Sequence, residues 1–207
     1  MINAALSGIP SLSEDLYDDV VEFADGTPEA VQWFVGHFTD WSIILLGLLL
    51  IAAALPKLGA GPRNLALALI APATVVLAYG SSELIKTVID QDRPCRVPTE
   101  IVIIEECPPL GDWSFPSNHS TIAGALATAI LLLAPRLAWY AIPLAVLSGF
   151  SRVFVGVHYP HDVIAGLLFG ALFVGVVAPL VARPAAGLLR RRDRRSERPI
   201  ADATRGR

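Results

Sequence analysis

Basic residues are missing from the first part of this chain. Residues 1–40 hold no lysine or arginine, although they carry the acids Glu14, Asp15, Asp18, Asp19, Glu22, Asp25, Glu29 and Asp40. A basic n-region followed by an apolar h-region is therefore absent from 1–30, and a cleavable signal peptide is not expected. Charge is sparse throughout: 17% of the 207 residues are charged and 54% are hydrophobic, against about 25% and about 45–50% in ordinary soluble domains. A greasy soluble helical protein is excluded by distribution, because the apolar residues fall in long blocks rather than amphipathic stripes. No internal repeat is present.

Five apolar stretches can be read as membrane spans, over about 31–55, 64–86, 117–134, 137–153 and 160–182. A crossing helix needs about 20 residues for a hydrocarbon core of about 30 Å. The third and fourth stretches reach that length only if Ser117–His119 and Ser151–Arg152 belong to their helices, which puts those polar groups at the interface. The expected fold is an all-α integral membrane bundle of about five transmembrane helices. Three segments result: an acidic 1–30, a membrane domain over 31–182 and an arginine-rich tail over 183–207. The acidic segment carries a short amphipathic helix (Leu16, Tyr17, Val20, Val21, Phe23) lying on the membrane or on neighbouring helices.

Orientation follows from the basic residues. With the N-terminus outside, the inner segments hold Lys57, Arg63, Arg136 and nine arginines of the tail, twelve of the sixteen basic residues. That agrees with the positive-inside rule and predicts a multi-pass plasma (inner) membrane protein with a cytoplasmic C-terminus. The tail is expected to be a disordered topology anchor; anionic headgroups are its alternative partner, and nucleic acid is not a partner. The outer loop over 87–116 is Pro-rich and acidic (Asp90, Asp92, Glu100, Glu105, Glu106, Asp112) and contains both cysteines, Cys95 and Cys107. Two cysteines on the oxidising side suggest a disulfide, with two free thiols as the alternative.

Polar groups are expensive near a membrane, so those at the span ends point to chemistry. Lys86 is followed after six residues by Arg93-Pro94. Pro116-Ser117-Asn118-His119 opens the third span. Ser151-Arg152 is followed after five residues by His158 and after three more by Asp162. Under the five-span topology all three clusters face the outside.

Lys86, Arg93 and Arg152 suit phosphoryl oxygens, and the backbone around Ser117, Asn118 and His119 opens a helix that favours anions. Pro160 fits a first helical turn, which lets Asp162 face His158, fix its tautomer and leave one nitrogen free to attack phosphorus. His119 can protonate the leaving oxygen. No metal or other cofactor is needed, since the cations take that role. Taken singly, Lys86 and Arg93 read as interfacial anchors, Lys86 pairing with Glu83 or Asp90, and Pro-Ser-Asn-His reads as a helix cap. His37 reads as interfacial, and His161 as a lesser candidate for touching substrate.

These three clusters resemble the signature motifs of the type 2 phosphatidic acid phosphatase superfamily, which includes membrane lipid phosphate phosphatases, polyprenyl pyrophosphate phosphatases and soluble vanadium haloperoxidases. The resemblance implies His158 as nucleophile, Asp162 as its partner and His119 as general acid. It implies Lys86, Arg93, Ser117 and Arg152 as phosphate binders, and the Asn118 backbone at the helix opening joins them. The chain departs from that family in having Asn118 where Gly is usual and five spans where six are usual, a first helix being lost or shortened. Asn tolerates the backbone angles, while its side chain would narrow the pocket or meet substrate.

The implied activity is hydrolysis of a lipid phosphate or pyrophosphate at the outer leaflet through a phosphohistidine. The first substrate choice is an undecaprenyl- or decaprenyl-type pyrophosphate in envelope carrier recycling, ahead of phosphatidate or phosphatidylglycerophosphate. A lipid-phosphate binding or transport protein is the alternative of another class, disfavoured by the His158–Asp162 pair. A haloperoxidase is disfavoured by the spans.

Overall fold

The structure is a computed structural model that describes residues 2–97 and 103–205, with side chains described over 11–97 and 103–191. Glu100, counted above among the loop acids, lies outside those residues. The helices are α1 (Ile2–Asp25), α2 (Glu29–Ala54), α3 (Pro62–Lys86), α4 (Asn118–Leu133), α5 (Pro135–Phe154) and α6 (Pro160–Arg205), and no strand occurs among the described residues. Proline at N1 starts α3, α5 and α6, where its missing N–H costs nothing.

Four helices are long and apolar enough to cross a membrane: Glu29–Lys57, Pro62–Lys86, Pro135–Phe154 and Pro160–Arg191. Their outward faces carry large apolar side chains such as Leu69, Val76, Leu172 and Leu180, more than a soluble monomer tolerates. The protein is an all-α, multi-pass integral membrane bundle. The fifth expected span, α4, has only 16 residues and reaches about 24 Å at about 1.5 Å per residue. It can be short because it is the central helix: it touches α2, α3, α5 and α6, and Thr121, Ala125, Ala129 and Leu133 along it are buried. Its neighbours, not its own ends, meet the lipid.

Small residues let α4 and α6 approach backbone to backbone. A Cβ on Gly170 would stand 2.0 Å from Thr121 O, one on Gly166 2.5 Å from Ser117 O, and one on Gly124 2.2 Å from Leu167 O. Gly166 and Gly170 form a small-xxx-small pair on α6, an arrangement that membrane helices use for close packing. At the end of this seam Ser117 N donates to Asp162 O at 3.1 Å, which ties the start of α4 to the start of α6. Two sequence clusters are thereby joined through the backbone.

The N-terminal helix is longer than expected and lies on neighbouring helices. Tyr17 and Val21 are buried against Val153 and Val163, and Tyr17 Oη donates to Gly156 O at 2.9 Å, while Leu16 and Phe23 stay exposed. Glu14, Asp15, Asp18 and Asp19 point away from the bundle. α6 continues through the tail to Arg205.

Candidate active site

α5 ends at Phe154 and α6 begins at Pro160, and the turn between them carries His158. Gly156 makes this turn possible with φ of 90°, a left-handed conformation that a side chain resists. Asp162 sits in the first turn of α6, where its Oδ2 accepts from Tyr159 N at 3.0 Å. That is the reciprocal contact of a helix-capping carboxylate, and it holds Asp162 beneath the imidazole. His158 Nδ1 lies 3.5 Å from Asp162 Oδ2. Ser114 Oγ donates to the same oxygen at 2.5 Å and stands 3.3 Å from Nδ1.

On the other side of the ring Arg93 Nη1 donates to His158 Nε2 at 3.0 Å. A guanidinium only donates, so Nε2 carries the lone pair and Nδ1 the proton. Burial pushes the His158 pKa down to about 4, helped by the charges of Arg93 and Arg152 and opposed by Asp162. The imidazole is neutral at pH 7. A neutral imidazole with its tautomer fixed and a lone pair aimed at a cation cluster is a nucleophile suited to an anionic electrophile.

Arg93 reaches further, donating from Nη1 to Val157 O at 3.1 Å and from Nε to Asp112 O at 2.9 Å. Asp112 Oδ1 bridges Arg93 Nη2 and Lys86 Nζ, at 2.9 Å each. Lys86 is thus paired with Asp112 and not with Glu83 of its own helix or Asp90 just beyond it. Burial alone would raise the Asp112 carboxyl, but the hydrogen bonds and charges of Lys86 and Arg93 outweigh it and hold it below the usual range.

A second group of contacts surrounds Thr39 of α2. His119 Nε2 lies 2.6 Å from Thr39 O, so that nitrogen carries a proton. Thr39 Oγ1 accepts from Ser151 Oγ at 2.9 Å and from Arg152 Nη1 at 3.2 Å. Arg152 is also gripped by Glu105 through both carboxylate oxygens, at 2.7 and 2.9 Å. The third and first sequence clusters therefore meet directly, through Arg93 and His158. His119 and Arg152 share Thr39.

Ser117 and Asn118 differ from a simple phosphate-binding picture. Ser117 is fully buried and caps α4, its Oγ accepting from Ser120 N at 3.4 Å and Ser120 Oγ at 3.1 Å. The Asn118 side chain turns to α3, accepting from Ser82 Oγ at 2.8 Å and donating to Glu83 Oε1. It binds helix to helix and leaves its backbone at the helix N-terminus. His161 stacks beside Tyr159 with centroids 5.4 Å apart, and its Nε2 lies 3.1 Å from Asp162 Oδ1. His37 keeps to the outside of α2 among Trp33 and Trp41.

Cys95 and Cys107 are joined in a disulfide, with Cα atoms 5.7 Å apart. Among the described residues no cluster of His, Cys, Asp and Glu is arranged to hold a metal ion.

Sequence reasoning missed Thr39, Ser114 and the roles of Glu105 and Asp112. Ser114 had one available signal, its place three residues ahead of Ser117. The acids were visible only as loop charge, and Thr39 as one hydroxyl ahead of an apolar run.

Comparison with known proteins adds a separate line of support. A profile described as the PAP2 superfamily matches residues 67–184. The lipid A 1-phosphatase of Rhizobium johnstonii is 53% identical over 76 residues, which cover 37% of this chain and 30% of that protein. This match spans less than a third of the Rhizobium protein's length. The undecaprenyl-diphosphatase BcrC of Bacillus subtilis is 32% identical over 137 residues, covering 66% of this chain and 67% of its own. Among solved structures, a transmembrane PAP2-type phosphatidylglycerolphosphate phosphatase from Bacillus subtilis aligns with a TM-score of 0.58 and 21% identity. That alignment covers 83% of this chain and 85% of the other, and it supports the fold alone.

Proposed function

The chain belongs to the PAP2 superfamily, and from that premise we propose that it is a metal-independent membrane phosphatase acting on a lipid phosphate or diphosphate at the outer leaflet. A polyprenyl diphosphate is its substrate. The observation that carries this reading is His158, buried and neutral, with Nε2 directed at Arg93 and Nδ1 at Asp162. A relative matched over 66% of this chain is named for undecaprenyl diphosphate, which favours that substrate over a glycerolipid phosphate. Twelve of the sixteen basic residues lie in the segments that an outside N-terminus leaves inside, which favours an outward-facing site.

The chemistry uses this chain's own groups. The terminal phosphoryl group enters among Lys86, Arg93 and Arg152, whose donors meet its oxygens. The Nε2 lone pair forms the N–P bond as the bridging P–O bond breaks in line. Its electrons leave on the prenyl phosphate, which takes a proton from His119. Asp162 stabilises the imidazolium that carries the phosphoryl group. Water then attacks the same phosphorus, His119 accepts its proton, and the N–P bond returns its electron pair to His158. Inorganic phosphate and prenyl monophosphate are the products.

The test is phosphate release by purified protein from farnesyl diphosphate, phosphatidate and phosphatidylglycerophosphate, with an alkaline quench to preserve an acid-labile phosphoprotein. The expected result is fastest release from the diphosphate and a labelled protein band that His158→Ala abolishes. Release by His158→Ala near the parent rate would remove the nucleophile. Release from none of the substrates would remove the phosphatase reading, and a glycerolipid phosphate hydrolysed fastest would replace the substrate.

A further inference from the structure

Lys86, Arg93 and Arg152 are all matched by carboxylates from one segment, the loop between α3 and α4. Asp112 bridges Lys86 and Arg93, and Glu105 holds Arg152. The segment is seated for this purpose. Glu105 N donates to Val155 O at 3.2 Å, and Ile103 lies so close over Gly156 that a Cβ there would meet its side chain at 2.6 Å. The disulfide to Cys95 closes the loop just beyond Glu105.

Two features mark the Glu105 pairing as one that can be exchanged. Glu105 engages only the end-on edge of the guanidinium, Nη1 and Nη2. Arg152 Nε is buried without a hydrogen-bond partner, a costly condition for a charged donor. The Glu105 side chain is 34% exposed while that of Arg152 is 9% exposed, so an incoming anion can displace the acid and keep the cation.

Resting on the phosphatase reading above, we infer that Glu105 is a specificity-determining residue. It is a tethered carboxylate that excludes singly charged phosphodiester headgroups from Arg152 and yields to the doubly charged phosphoryl end of a monoester or diphosphate. A bilayer presents diester headgroups to this pocket at high local concentration. Each offers one negative charge on two free oxygens, which is what Glu105 already supplies. Glu105 does so from a short tether, at an effective concentration on the order of millimolar or more, and loses little further freedom in binding. A diester therefore gains nothing by exchange. A terminal phosphoryl group carries about −1.5 to −2 charges at pH 7 and three acceptor oxygens. Its third oxygen can meet Arg152 Nε, and its extra charge reaches Lys86 and Arg93.

The test follows farnesyl diphosphate hydrolysis in detergent micelles containing increasing phosphatidylglycerol, a phosphodiester. Wild-type protein is expected to resist it, and Glu105→Gln to be inhibited at concentrations at least about tenfold lower. Ile103→Ala, which keeps every charge but loosens the seat on Gly156, should shift in the same direction. Binding of a fluorescent phosphatidylglycerol to the same proteins needs no turnover, so it reads the selectivity even if hydrolysis fails. Equal affinity for this lipid in wild type and both variants overturns the inference and leaves the phosphatase reading standing. Absent hydrolysis with a tenfold binding difference does the reverse.

Discussion

Removing one hydroxyl, in Ser114→Ala, tests how the proposed nucleophile, His158, is aimed. Ser114 is fully buried, and its Oγ donates to Asp162 Oδ2 at 2.5 Å. That oxygen also accepts from Tyr159 N at 3.0 Å and lies 3.5 Å from His158 Nδ1, while Oδ1 faces His161 Nε2 at 3.1 Å. Loss of the hydroxyl leaves the carboxylate freer to turn toward His161 and away from His158. A hydrogen bond to a charged group is worth about 1.5–3 kcal/mol. At about 1.36 kcal/mol per decade, its full loss in the transition state lowers kcat by about 10- to 150-fold. KM for the diphosphate should change little, because Ser114 touches none of the three cations. The assay is phosphate release at saturating farnesyl diphosphate, run also in an Asp162→Asn background. With the carboxylate gone, the Ser114 change should cost almost nothing more, and the cycle isolates the pair. A rate for Ser114→Ala within threefold of the parent, or an equal loss in both backgrounds, would refute the role given to this hydroxyl.

Two further outcomes follow from packing and titration. Gly170→Ala places a Cβ 2.0 Å from Thr121 O and should destabilise the bundle by about 1–3 kcal/mol or more, read as a lower melting temperature in detergent. Gly47→Ala, with nothing within 4 Å of its Cβ, should be neutral. His158 titrates near 4 in the folded protein, below its unfolded value of about 6.5. Protons therefore favour the unfolded chain: this contribution to stability is whole above about pH 6.5 and is lost as pH falls toward 4. Once the substrate's own ionisation is divided out, the acid limb of kcat/KM should fall below about pH 5, and a limb at 6.5 would contradict the buried, neutral imidazole.

The side chains proposed for catalysis were legible because their spacing is local. His158 and Asp162 meet within one helical turn, and Pro160 marks where that turn begins. The apolar runs set the helices, and the polar groups left at their ends marked the functional side of the bundle. Contacts that depend on which helices become neighbours were not legible. Thr39 lies 113 residues from Arg152 and 80 from His119, and no periodicity links them. Asn118 showed the same limit. Sequence identified the departure from Gly, but only the packing of α3 beside α4 shows its side chain engaged by Ser82 and Glu83. The short central helix reads like its longer neighbours because hydropathy measures apolar character, and a helix sheathed by other helices is as apolar as one facing lipid.

The charge balance of the pocket gives the acidic loop a physical purpose. Lys86, Arg93 and Arg152 are 3, 3 and 8% exposed, and an uncompensated ion buried to that degree costs several kcal/mol. Asp112 bridges Lys86 and Arg93, Glu105 holds Arg152 and Asp162 lies beside the neutral His158, so three carboxylates stand against three cations. The resting pocket is therefore balanced before any substrate arrives. A dianionic phosphoryl group that displaces Asp112 and Glu105 sends two charges toward the water they already partly face and brings two in, so binding exchanges ion pairs without adding net charge. A gain then has to come from geometry that the acids do not satisfy. Arg152 Nε is the buried donor without a partner, and a third phosphoryl oxygen is what a carboxylate lacks. Discrimination between a phosphoryl end and a diester is thus settled by the shape of one guanidinium edge.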